Sequence, residues 1–254
     1  MTTIIKSLAE WQALRPTLGD DLGFVPTMGN LHEGHLSLLQ RARKENAVTL
    51  LSIFVNPTQF NQANDYVHYP RTLESDIALA EQAGVDYVLA PPYAEIYPDD
   101  YAYQLSEVEF SEKLEGAFRP GHFTGMLTVV LKLLMLARAS RLYLGEKDFQ
   151  QAVLIRGMTH AFFIPTTIVV CPTIRNEFGL PHSSRNQRLT PEQYQAARHF
   201  PEIFHSDRDC AAIKKNLEEK GFAVDYVEEY DGRRFAAVRL GEIRLIDNIP
   251  ENKS

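Results

Sequence analysis

The stretch Leu22–Leu39, which reads LGFVPTMGNLHEGHLSLL, is the most informative about the architecture of the protein. Leu22–Val25 is short and apolar, as expected of a buried strand. After a turn of sequence PTMGN, Leu36, Leu38 and Leu39 recur at the spacing of a helix with one buried side. The stretch therefore predicts a strand, a tight turn and a helix that ends near position 45.

Strands and helices alternate in the same way along most of the chain. Four further strands are predicted at Ala47–Val55, Tyr87–Ala90, Arg141–Leu144 and Thr166–Val170, with helical patterns between them. This alternation predicts an α/β fold, in which a mostly parallel sheet carries helices on both faces. Ligands of such folds bind beside the carboxyl ends of the strands.

Two of the predicted helices have distinctive ends or composition. Thr72 is predicted to cap a helix that runs to Ala83, and Gly84 supplies the C-terminal stop. The most apolar stretch, Gly125–Ala137, contains Lys132 and is too short to span a bilayer. It is therefore predicted to form a buried helix.

A second, smaller domain is predicted from Thr190 onwards, which gives domains of 1–189 and 190–254. Thr190, Pro191 and Gln193 combine an N-cap, a first-turn proline and a capping box. Asp231-Gly232 is a strong hairpin signal. The remaining patterns predict a small α+β domain, with a helix that ends at Gly221 and strands at Ala223–Tyr230, Arg234–Leu240 and Ile243–Ile246.

Composition argues against several classes of protein. The chain has 254 residues, of which 26 are Lys or Arg and 33 are Asp or Glu, so its net charge is −7. Proteins that bind nucleic acids or anionic membranes rely on concentrated positive charge. Cys171 and Cys210 form no CxxC motif, and the N-terminus lacks the pattern of a signal peptide. We therefore expect a cytoplasmic protein that binds neither nucleic acid nor membrane.

The sharpest chemical feature is His32-Glu33-Gly34-His35, at the start of the first long helix. The two histidines share a helix face where unpaired N–H groups and the helix dipole favour an anion. Gly34 lets a ligand approach the backbone. A zinc-peptidase helix would need histidines four residues apart, and the chain has neither a P-loop nor a GxGxxG motif. The motif therefore predicts a pocket for the phosphates of a nucleotide.

Three other loop segments carry polar side chains suited to the same chemistry. In GEKDFQQ, Lys147 offers a charge for phosphate, and Asp148 offers an acceptor for ribose or a magnesium-bound water. In SSRN, at 183–186, hydroxyls beside an arginine suit a departing pyrophosphate. The amides of Asn56 and Gln59 suit a small polar substrate. A further cation and imidazole follow at Arg119 and His122. Taken one at a time, these segments are also compatible with ordinary polar turns.

Taken together, the segments resemble the pantothenate synthetase (pantoate–β-alanine ligase) family of the HxGH nucleotidyltransferase superfamily. The resemblance spans nearly the whole chain in the family's order, which makes it more specific than any single motif. Its segments are Val25–Leu38 (VPTMGNLHEGHLSL), Ser52–Phe60 (SIFVNPTQF), Tyr69–Leu73 (YPRTL), Arg119–Gly125 (RPGHFTG), Gly145–Gln151 (GEKDFQQ), Ser183–Asn186 (SSRN) and Arg244–Asn248 (RLIDN).

The resemblance implies a Rossmann-like catalytic domain that binds ATP and pantoate, followed by a small C-terminal lid domain. It implies an amide-forming ligase that joins (R)-pantoate and β-alanine into pantothenate. ATP and Mg²⁺ would be required, and a pantoyl-adenylate intermediate would lead to AMP and pyrophosphate. The family resemblance also suggests a homodimer.

The resemblance further implies roles for individual residues. The catalytic residues would be His32, His35, Lys147, Ser183, Ser184 and Arg185, with His35 as the proton donor. ATP would be bound by Pro26, Thr27, Met28, Gly29, Asn30, Leu31, His32, Glu33, Gly34, His35, Gly145, Glu146, Lys147, Asp148, Ile174, His182, Ser183, Ser184 and Arg185. Pantoate and β-alanine would be bound by Met28, Asn56, Gln59, Arg119, His122 and Gln151. Magnesium would arrive as MgATP without a dedicated protein site, with Asp148 or Asp76 as candidate contacts.

Three departures from the family pattern concern the second half of the chain. Phe178 stands where the family usually has Asp, and Pro181 and His182 stand where it has Ala and then Leu or Met. Because Pro181 removes an N–H and fixes φ, the backbone of this loop is expected to differ. The lid domain is also expected to be shorter than usual. These departures bear on adenine contact, closure and turnover rather than on the chemistry of the N-terminal domain.

Three alternatives stay open on the sequence alone. Another adenylyl- or cytidylyltransferase of the superfamily would leave a nucleotide on its product, although a phosphate acceptor would prefer cations to the amides of Gln59 and Gln151. A relative of aminoacyl-tRNA synthetases would need a basic RNA-binding region, whereas 201–254 has nine basic and twelve acidic residues. A non-catalytic nucleotide-binding protein is the third, because the loop around Pro181 is altered.

Overall fold

The computed structural model describes residues 2–251, and the chain divides into two compact units. The first unit contains the residues up to Glu146 together with Gln150–Cys171. The second contains Lys147–Phe149 and the residues from Pro172 onwards. The division therefore differs from the predicted boundary at 189/190, because 172–189 and a tripeptide after the fourth predicted strand belong to the second unit.

The first unit is built on a six-stranded sheet whose paired strands are parallel. Its strands are β1 (Thr3–Ile5), β2 (Leu22–Thr27), β3 (Val48–Ile53), β4 (Tyr87–Leu89), β5 (Arg141–Gly145) and β6 (Thr167–Cys171), in the spatial order β1-β4-β3-β2-β5-β6. The five predicted strands are all present. The additional strand β1 was not predicted, because three residues carry no periodicity and the strand depends on pairing with the distant β4.

Helices cover both faces of this sheet. The helices that lie wholly or mostly in this unit are α1 (Leu8–Leu14), α2 (Glu33–Glu45), α3 (Ala63–Val67), α4 (Leu73–Gln82), α5 (Tyr93–Ile96), α6 (Glu115–Phe118), α7 (His122–Ala137) and α8 (Phe149–Ala161). Successive strand residues face opposite ways. Phe24 therefore packs with residues of α7 and α8, whereas Val25 packs with residues of α2 and α4. The predicted α/β class is confirmed, as is the buried helix that forms most of α7.

The helix predicted after Thr72 is also confirmed, but the threonine does not cap it. Its backbone lies outside the extended conformation usual for a capping residue, and its side chain makes no capping hydrogen bond. The Thr72 hydroxyl instead donates to Oδ2 of Asp76, at 3.1 Å. Among the residues from 2 to 251, no helix combines the length and apolar character needed to cross a membrane.

The order of strands identifies the edge of the sheet at which a ligand is expected. The chain places β3 and β4 on one side of β2, then returns to place β5 and β6 on the other. In open α/β sheets the ligand crevice lies at the carboxyl ends of the strands where this reversal occurs. The loops after β2 and β5 begin there, and both contain residues that the sequence predicts to bind ATP.

The second unit contains a three-stranded antiparallel sheet and three helices among the described residues. These are α9 (Pro191–Ala197), α10 (His199–Phe204), α11 (Cys210–Glu219), β7 (Ala223–Tyr230), β8 (Arg233–Leu240) and β9 (Ile243–Pro250). The capping box of Thr190 and Gln193 is confirmed. The hairpin is also confirmed, because Asp231 and Gly232 have φ of 49° and 73°, as a tight two-residue turn requires. Strand β9 runs to Pro250, beyond the predicted end at Ile246.

Tertiary contacts explain why 172–189 belongs to the second unit. The guanidinium of Arg175 donates two hydrogen bonds to the carboxylate of Asp247 in β9, at 2.6 and 2.9 Å. Leu180 is buried in one apolar cluster with Phe200 and Phe204 of α10. These partners are far along the chain, so no local pattern could have placed the division before this segment.

Candidate active site

The turn after β2 is held by a buried carboxylate from α4. Gly29 and Asn30 take left-handed backbone angles, with φ of 81° and 51°. Asp76, which is 1% exposed, accepts the N–H of Asn30 at 2.9 Å and the N–H of Leu31 at 2.7 Å. A Cβ on Gly29 would lie 2.9 Å from Oδ2 of Asp76, so both φ and space require glycine here. Hydrogen bonds to a carboxylate therefore fix this turn.

The two predicted histidines lie directly after this turn, and the structure brings their rings together. The ring centroids of His32 and His35 are 4.0 Å apart, with an interplanar angle of 32°. His32 is the N-cap of α2, and its Nδ1 accepts the N–H of Gly34 at 3.2 Å. A neutral His32 ring therefore carries its proton on Nε2. One of the N–H groups expected to face an anion is thus already capped by the histidine.

The turn after β3 is organised around the buried side chain of Asn56. Its Nδ2 donates to Oε1 of Gln59 at 3.1 Å and to the carbonyl of Gly125 at 3.2 Å. Its Oδ1 accepts hydrogen bonds from the hydroxyls of Thr58, at 3.0 Å, and Tyr97, at 2.9 Å. Both ends of the amide are satisfied inside the protein, so Asn56 orients Gln59.

The side chain of Gln59 connects this turn to the one after β2. Its Nε2 lies 3.2 Å from Sδ of Met28, which directly precedes the left-handed residues of the earlier turn. Met28 and Gln59 were both predicted to bind substrate, and they are in contact. The structure therefore joins the amide turn and the histidine turn through two predicted site residues.

Two residues of this network, Tyr97 and Gly125, were not predicted from the sequence. Burial raises the pKa of Tyr97 to about 12, so its phenol stays a donor to Asn56 through the neutral range. A Cβ at Gly125 would lie 2.3 Å from the carbonyl oxygen of Thr58, so α7 approaches the turn too closely for a side chain. The available signal was a glycine inside an apolar helix, which is compatible with close packing but does not identify the partner.

His122 contacts the main chain of the same turn, and Arg119 contacts His122. Nδ1 of His122 lies 2.8 Å from the carbonyl oxygen of Gln59 and donates to it, because a carbonyl only accepts. Nη1 of Arg119 lies 3.0 Å from Nε2 of His122 and 3.6 Å from a carboxylate oxygen of Glu115. A neutral His122 with its proton on Nδ1 satisfies both contacts. The two predicted residues therefore support the backbone of the amide turn.

The two glutamines at the start of α8 have different surroundings. The Nε2 of Gln150 donates to the carbonyls of Phe110, at 2.7 Å, and Lys113, at 2.9 Å. Its Oε1 accepts the N–H of Glu115 at 3.1 Å, and the residue is buried. Gln151 is only half-buried. Of the pair, Gln151 is therefore the more accessible to a ligand, and its binding of pantoate stays a prediction.

The GEKDFQQ segment is divided between the two units. Gly145 and Glu146 belong to the first, whereas Lys147–Phe149 packs with the second. The Nζ of Lys147 lies 3.5 Å from Oδ1 of Asp148. The Lys147 side chain is 17% exposed and that of Asp148 is 48% exposed. The lysine is therefore largely shielded, while the carboxylate stays open to solvent.

The SSRN segment lies in the second unit and is folded by local hydrogen bonds. Oγ of Ser183 accepts the N–H of Arg185 at 3.3 Å and caps a 3₁₀ turn at Ser184–Arg188. The N–H of His182 donates to the carbonyl of Ile174 at 3.0 Å. The structure thus brings His182 and Ile174, two predicted ATP-binding residues, next to each other at the start of this turn.

The unusual residues Phe178 and Pro181 have defined places in the same segment. The ring of Phe178 packs edge-on against Tyr194 of α9, with centroids 5.9 Å apart. Pro181 forms an isolated antiparallel bridge with Arg175, and its carbonyl accepts a hydrogen bond from the side chain of Asn186 at 2.9 Å. The two residues are therefore parts of an ordered loop that packs within the second unit.

The two carboxylates predicted as magnesium contacts differ in their surroundings. Both oxygens of Asp76 accept main-chain N–H groups, and Oδ2 also accepts the Thr72 hydroxyl. A cation at Asp76 would face these donors, so the site does not fit a metal. Asp148 fits better because its carboxylate is open. Within residues 2–251, no three His, Cys, Asp or Glu side chains are grouped so that they could hold a metal ion.

Comparison with known sequences gives a consistent family. A family model described as pantoate-beta-alanine ligase matches residues 1–250. The pantothenate synthetase of Coxiella burnetii (strain Dugway 5J108-111) is 57% identical over 251 residues, which cover 98% of this chain and 97% of that protein. The pantothenate synthetase of Legionella pneumophila (strain Lens) is 53% identical over 247 residues, which cover 96% of this chain and 98% of that protein.

Solved structures show the same fold along the whole chain. The pantoate-beta-alanine ligase of Francisella tularensis, crystallised with beta-gamma ATP and beta-alanine, has a TM-score of 0.96 and 42% identity, covering 100% of this chain and 99% of that one. A pantothenate synthetase of Thermus thermophilus has a TM-score of 0.91 and 38% identity, covering 98% and 99%. The compact second unit is therefore shared with these relatives. The predicted family is confirmed: the chain belongs to the pantoate-beta-alanine ligase family.

Proposed function

We propose that the protein joins (R)-pantoate to β-alanine with ATP and forms pantothenate, AMP and pyrophosphate. The pantoate carboxylate attacks the α-phosphorus, and the bond to pyrophosphate breaks. The amine of β-alanine then attacks the acyl carbon of pantoyl adenylate, AMP leaves, and the new amide loses a proton. Membership of the family supports this reaction, and the Francisella tularensis relative was crystallised with a form of ATP and with beta-alanine.

The observation that carries the proposal is the pair of imidazole rings at the start of α2. Negative charge develops on phosphorus oxygens during the first step, and donors already in place stabilise it without reorganisation. His32 is held by its bond to the Gly34 N–H, which directs the proton of the neutral ring to Nε2. His35 lies beside it and is the proton donor in our proposal. Because Asp76 fixes the preceding turn, both rings start from a defined backbone.

In the second unit, Lys147, Ser183, Ser184 and Arg185 are proposed to stabilise the departing pyrophosphate. Lysine supplies a compact charge, and arginine supplies a planar fork that matches phosphate oxygens. Hydroxyl and main-chain donors of the 3₁₀ turn add hydrogen bonds. The set is therefore suited to a leaving group rather than to a neutral substrate.

Pantoate is proposed to bind to the amides of Gln59 and Gln151. Uncharged amides can donate to the carboxylate and accept from the hydroxyls of pantoate without competing for phosphate. Asn56 holds Gln59 in place through Oε1, and His122 holds the Gln59 carbonyl. In this proposal Asn56, Arg119 and His122 contribute to the binding of pantoate and β-alanine indirectly, because they hold the turn that carries Gln59.

Magnesium is proposed to arrive with ATP, bound to phosphate oxygens. It would neutralise charge on the phosphates, and Asp148 is the carboxylate of this chain that we propose would contact it, because it is open to solvent. We also propose a homodimer in the cytoplasm, on the family resemblance.

The activity is tested by the substrate dependence of product release. With ATP, Mg²⁺, pantoate and β-alanine, the protein should release AMP and pyrophosphate. AMP release should require both pantoate and the amine. Release at the same rate without pantoate would show that the reaction is a different one.

The role of the histidines is tested by His35→Ala. We expect adenylate formation to slow by about 10²-fold or more, the usual scale for a lost transition-state donor. His160→Ala is a matched control, because His160 is an exposed histidine at the end of α8 in the same unit. A normal rate for His35→Ala would remove this residue from the mechanism.

A further inference from the structure

The main chain of Lys147 is anchored by a side chain that lies about a hundred residues further on. Nδ2 of Asn248, in β9, donates to the carbonyl oxygen of Lys147 at 2.9 Å. Asn248 is 4% exposed, so the bond is sheltered from water. Both residues belong to the second unit. The lysine therefore belongs structurally with the C-terminal sheet, although it follows a strand of the first unit.

Arg233 fixes which end of the Asn248 amide faces the lysine. Nε and Nη2 of Arg233 both donate to Oδ1 of Asn248, at 3.1 and 2.6 Å. An arginine only donates, so it must face the amide oxygen. The NH₂ group of Asn248 is thereby directed at the Lys147 carbonyl. Asparagine is suited to this position because it accepts at one end and donates at the other.

A second contact holds the same tripeptide at its far end. The guanidinium of Arg233 lies over the ring of Phe149, 4.2 Å from the centroid. The Phe149 ring also packs against Phe235, with centroids 6.0 Å apart. Phe235 is the residue of β8 that pairs with Asn248 of β9. The tripeptide is therefore held at residue 147 by a hydrogen bond and at residue 149 by ring contacts.

We propose that Asn248, oriented by Arg233, is a positioning residue that sets the place of the Lys147 ammonium for phosphate transfer. The inference rests on the proposed function, because it assumes that Lys147 stabilises the departing pyrophosphate. A misplacement of about 1 Å in such a group can lower a rate by about 10²-fold. Asn248 touches no reacting atom in this scheme and acts through the Lys147 backbone.

The sharpest variant is Asn248→Asp, which separates this role from a role in folding. Aspartate keeps an oxygen for Arg233 and turns that contact into a salt bridge, which offsets part of the hydrogen-bond energy lost at the Lys147 carbonyl. Its second oxygen faces the Lys147 carbonyl and cannot donate. We expect pantoate-dependent exchange of pyrophosphate into ATP to slow by about 10-fold, mainly in kcat, in protein that urea unfolding shows to be fully folded under the assay conditions. A merely structural residue would leave the exchange rate unchanged.

A double-mutant cycle with Lys147→Met identifies the group through which Asn248 acts. Lys147→Met should slow the exchange by about 10²-fold, as expected for a lost transition-state contact. Adding Asn248→Asp should then slow it no further, because the misplaced ammonium is no longer there. Asn216→Asp, the same substitution on α11 of the same unit, is the control and should keep the wild-type rate. If Asn248→Asp is not folded under the assay conditions, the cycle is repeated with Asn248→Ala, and the same non-additivity is expected.

The outcomes separate this inference from the proposed function. A wild type without pantoate-dependent exchange would refute the function itself. A normal rate for Lys147→Met would refute the role of the lysine. A slow Lys147→Met with a normal Asn248→Asp, or a full additional loss in the double variant, would overturn the positioning role.

Discussion

Two segments that carry proposed phosphate-binding groups are anchored in opposite ways. In the first unit, the turn before the histidines presents main-chain N–H groups, which Asp76 accepts. In the second unit, Lys147 presents a main-chain carbonyl, to which Asn248 donates. In both cases a buried polar side chain from a distant element holds the backbone beside the functional side chain.

The difference shows that the type of anchoring side chain depends on the main-chain group to which it must form a hydrogen bond. Two N–H groups need an acceptor, and a carboxylate offers two oxygens with charge. A carbonyl needs a donor, and an amide supplies one only if its own oxygen is satisfied, as Arg233 does for Asn248. Hydrogen bonds to charged groups contribute about 1.5–3 kcal/mol and neutral ones about 0.5–1.5 kcal/mol. The charged anchor should therefore be the more costly one to remove.

Asp76→Ala should destabilise the protein most, because it removes the charged anchor of the first unit. It leaves the N–H groups of Asn30 and Leu31 buried without their acceptor, so we expect a loss of about 3 kcal/mol in the free energy of unfolding. Adenylate formation should also slow by about 10²-fold, because the histidine turn moves. Urea unfolding and pyrophosphate exchange measure the two effects. Glu81→Ala, which changes an exposed acid on the same helix, is the control. If Asp76→Ala lowers the free energy of unfolding no more than Glu81→Ala does, Asp76 does not hold the turn.

Arg175→Lys tests whether a charged anchor in the second unit is also costly to weaken. Lysine keeps the charge but cannot form the two-pronged contact with Asp247, which also accepts from Nε2 of His205 at 2.8 Å. We expect the free energy of unfolding to fall by about 2 kcal/mol and KM for ATP to rise, because Ile174 and His182 lie on the same loop. Urea unfolding and ATP titration measure both. Wild-type values for both would mean that the pair does not hold the loop.

Tyr97→Phe should have the smallest effect and a distinctive dependence on pH. The raised pKa of Tyr97 means that folding favours the neutral phenol. Its stabilising contribution is complete below pH 10 and is lost as pH rises towards about 12. At pH 8 the variant should lose about 1 kcal/mol, because Asn56 keeps the Thr58 hydrogen bond.

The measurement is the difference in urea midpoint between wild type and Tyr97→Phe at about pH 9 and at about pH 11.5, on either side of the ordinary tyrosine pKa. The difference should shrink at the higher pH, because the wild type alone loses this contribution. Tyr103→Phe, which changes an exposed tyrosine, should show no such change. A constant difference for Tyr97→Phe would separate this phenol from the Asn56 network.

Local patterns predicted a large part of the fold. The alternation of apolar strands and helices placed five of the six parallel strands, and the Asp231-Gly232 turn placed the β7–β8 hairpin. The edge strand β1 and the last residues of β9 were not predicted, for a common reason. Their conformation depends on pairing with distant strands, and their own residues show no period.

Residue types also predicted which segments would carry the candidate site, but not what holds them. The pairing of His32 and His35 followed from their spacing, and their rings are in contact. Asp76 had the chemistry of a metal ligand in the sequence, whereas the fold turns its oxygens towards main-chain N–H groups. An aspartate can either bind a metal or accept main-chain N–H groups, and which of the two it does depends on spatial neighbours that the sequence does not reveal.

The α/β class, the family and the imidazoles, amides and cations available for catalysis could all be predicted from the amino acids alone, because they depend on local periodicity and residue chemistry. The way those groups are anchored is visible only in the fold: Asp76 holds the histidine turn, Asn56 holds Gln59, and Asn248 holds Lys147. The fold also shows that Lys147–Phe149 packs with the C-terminal sheet. The physical reason is that a buried main-chain group must find a partner wherever the folded chain places one, and that partner can lie anywhere in the sequence.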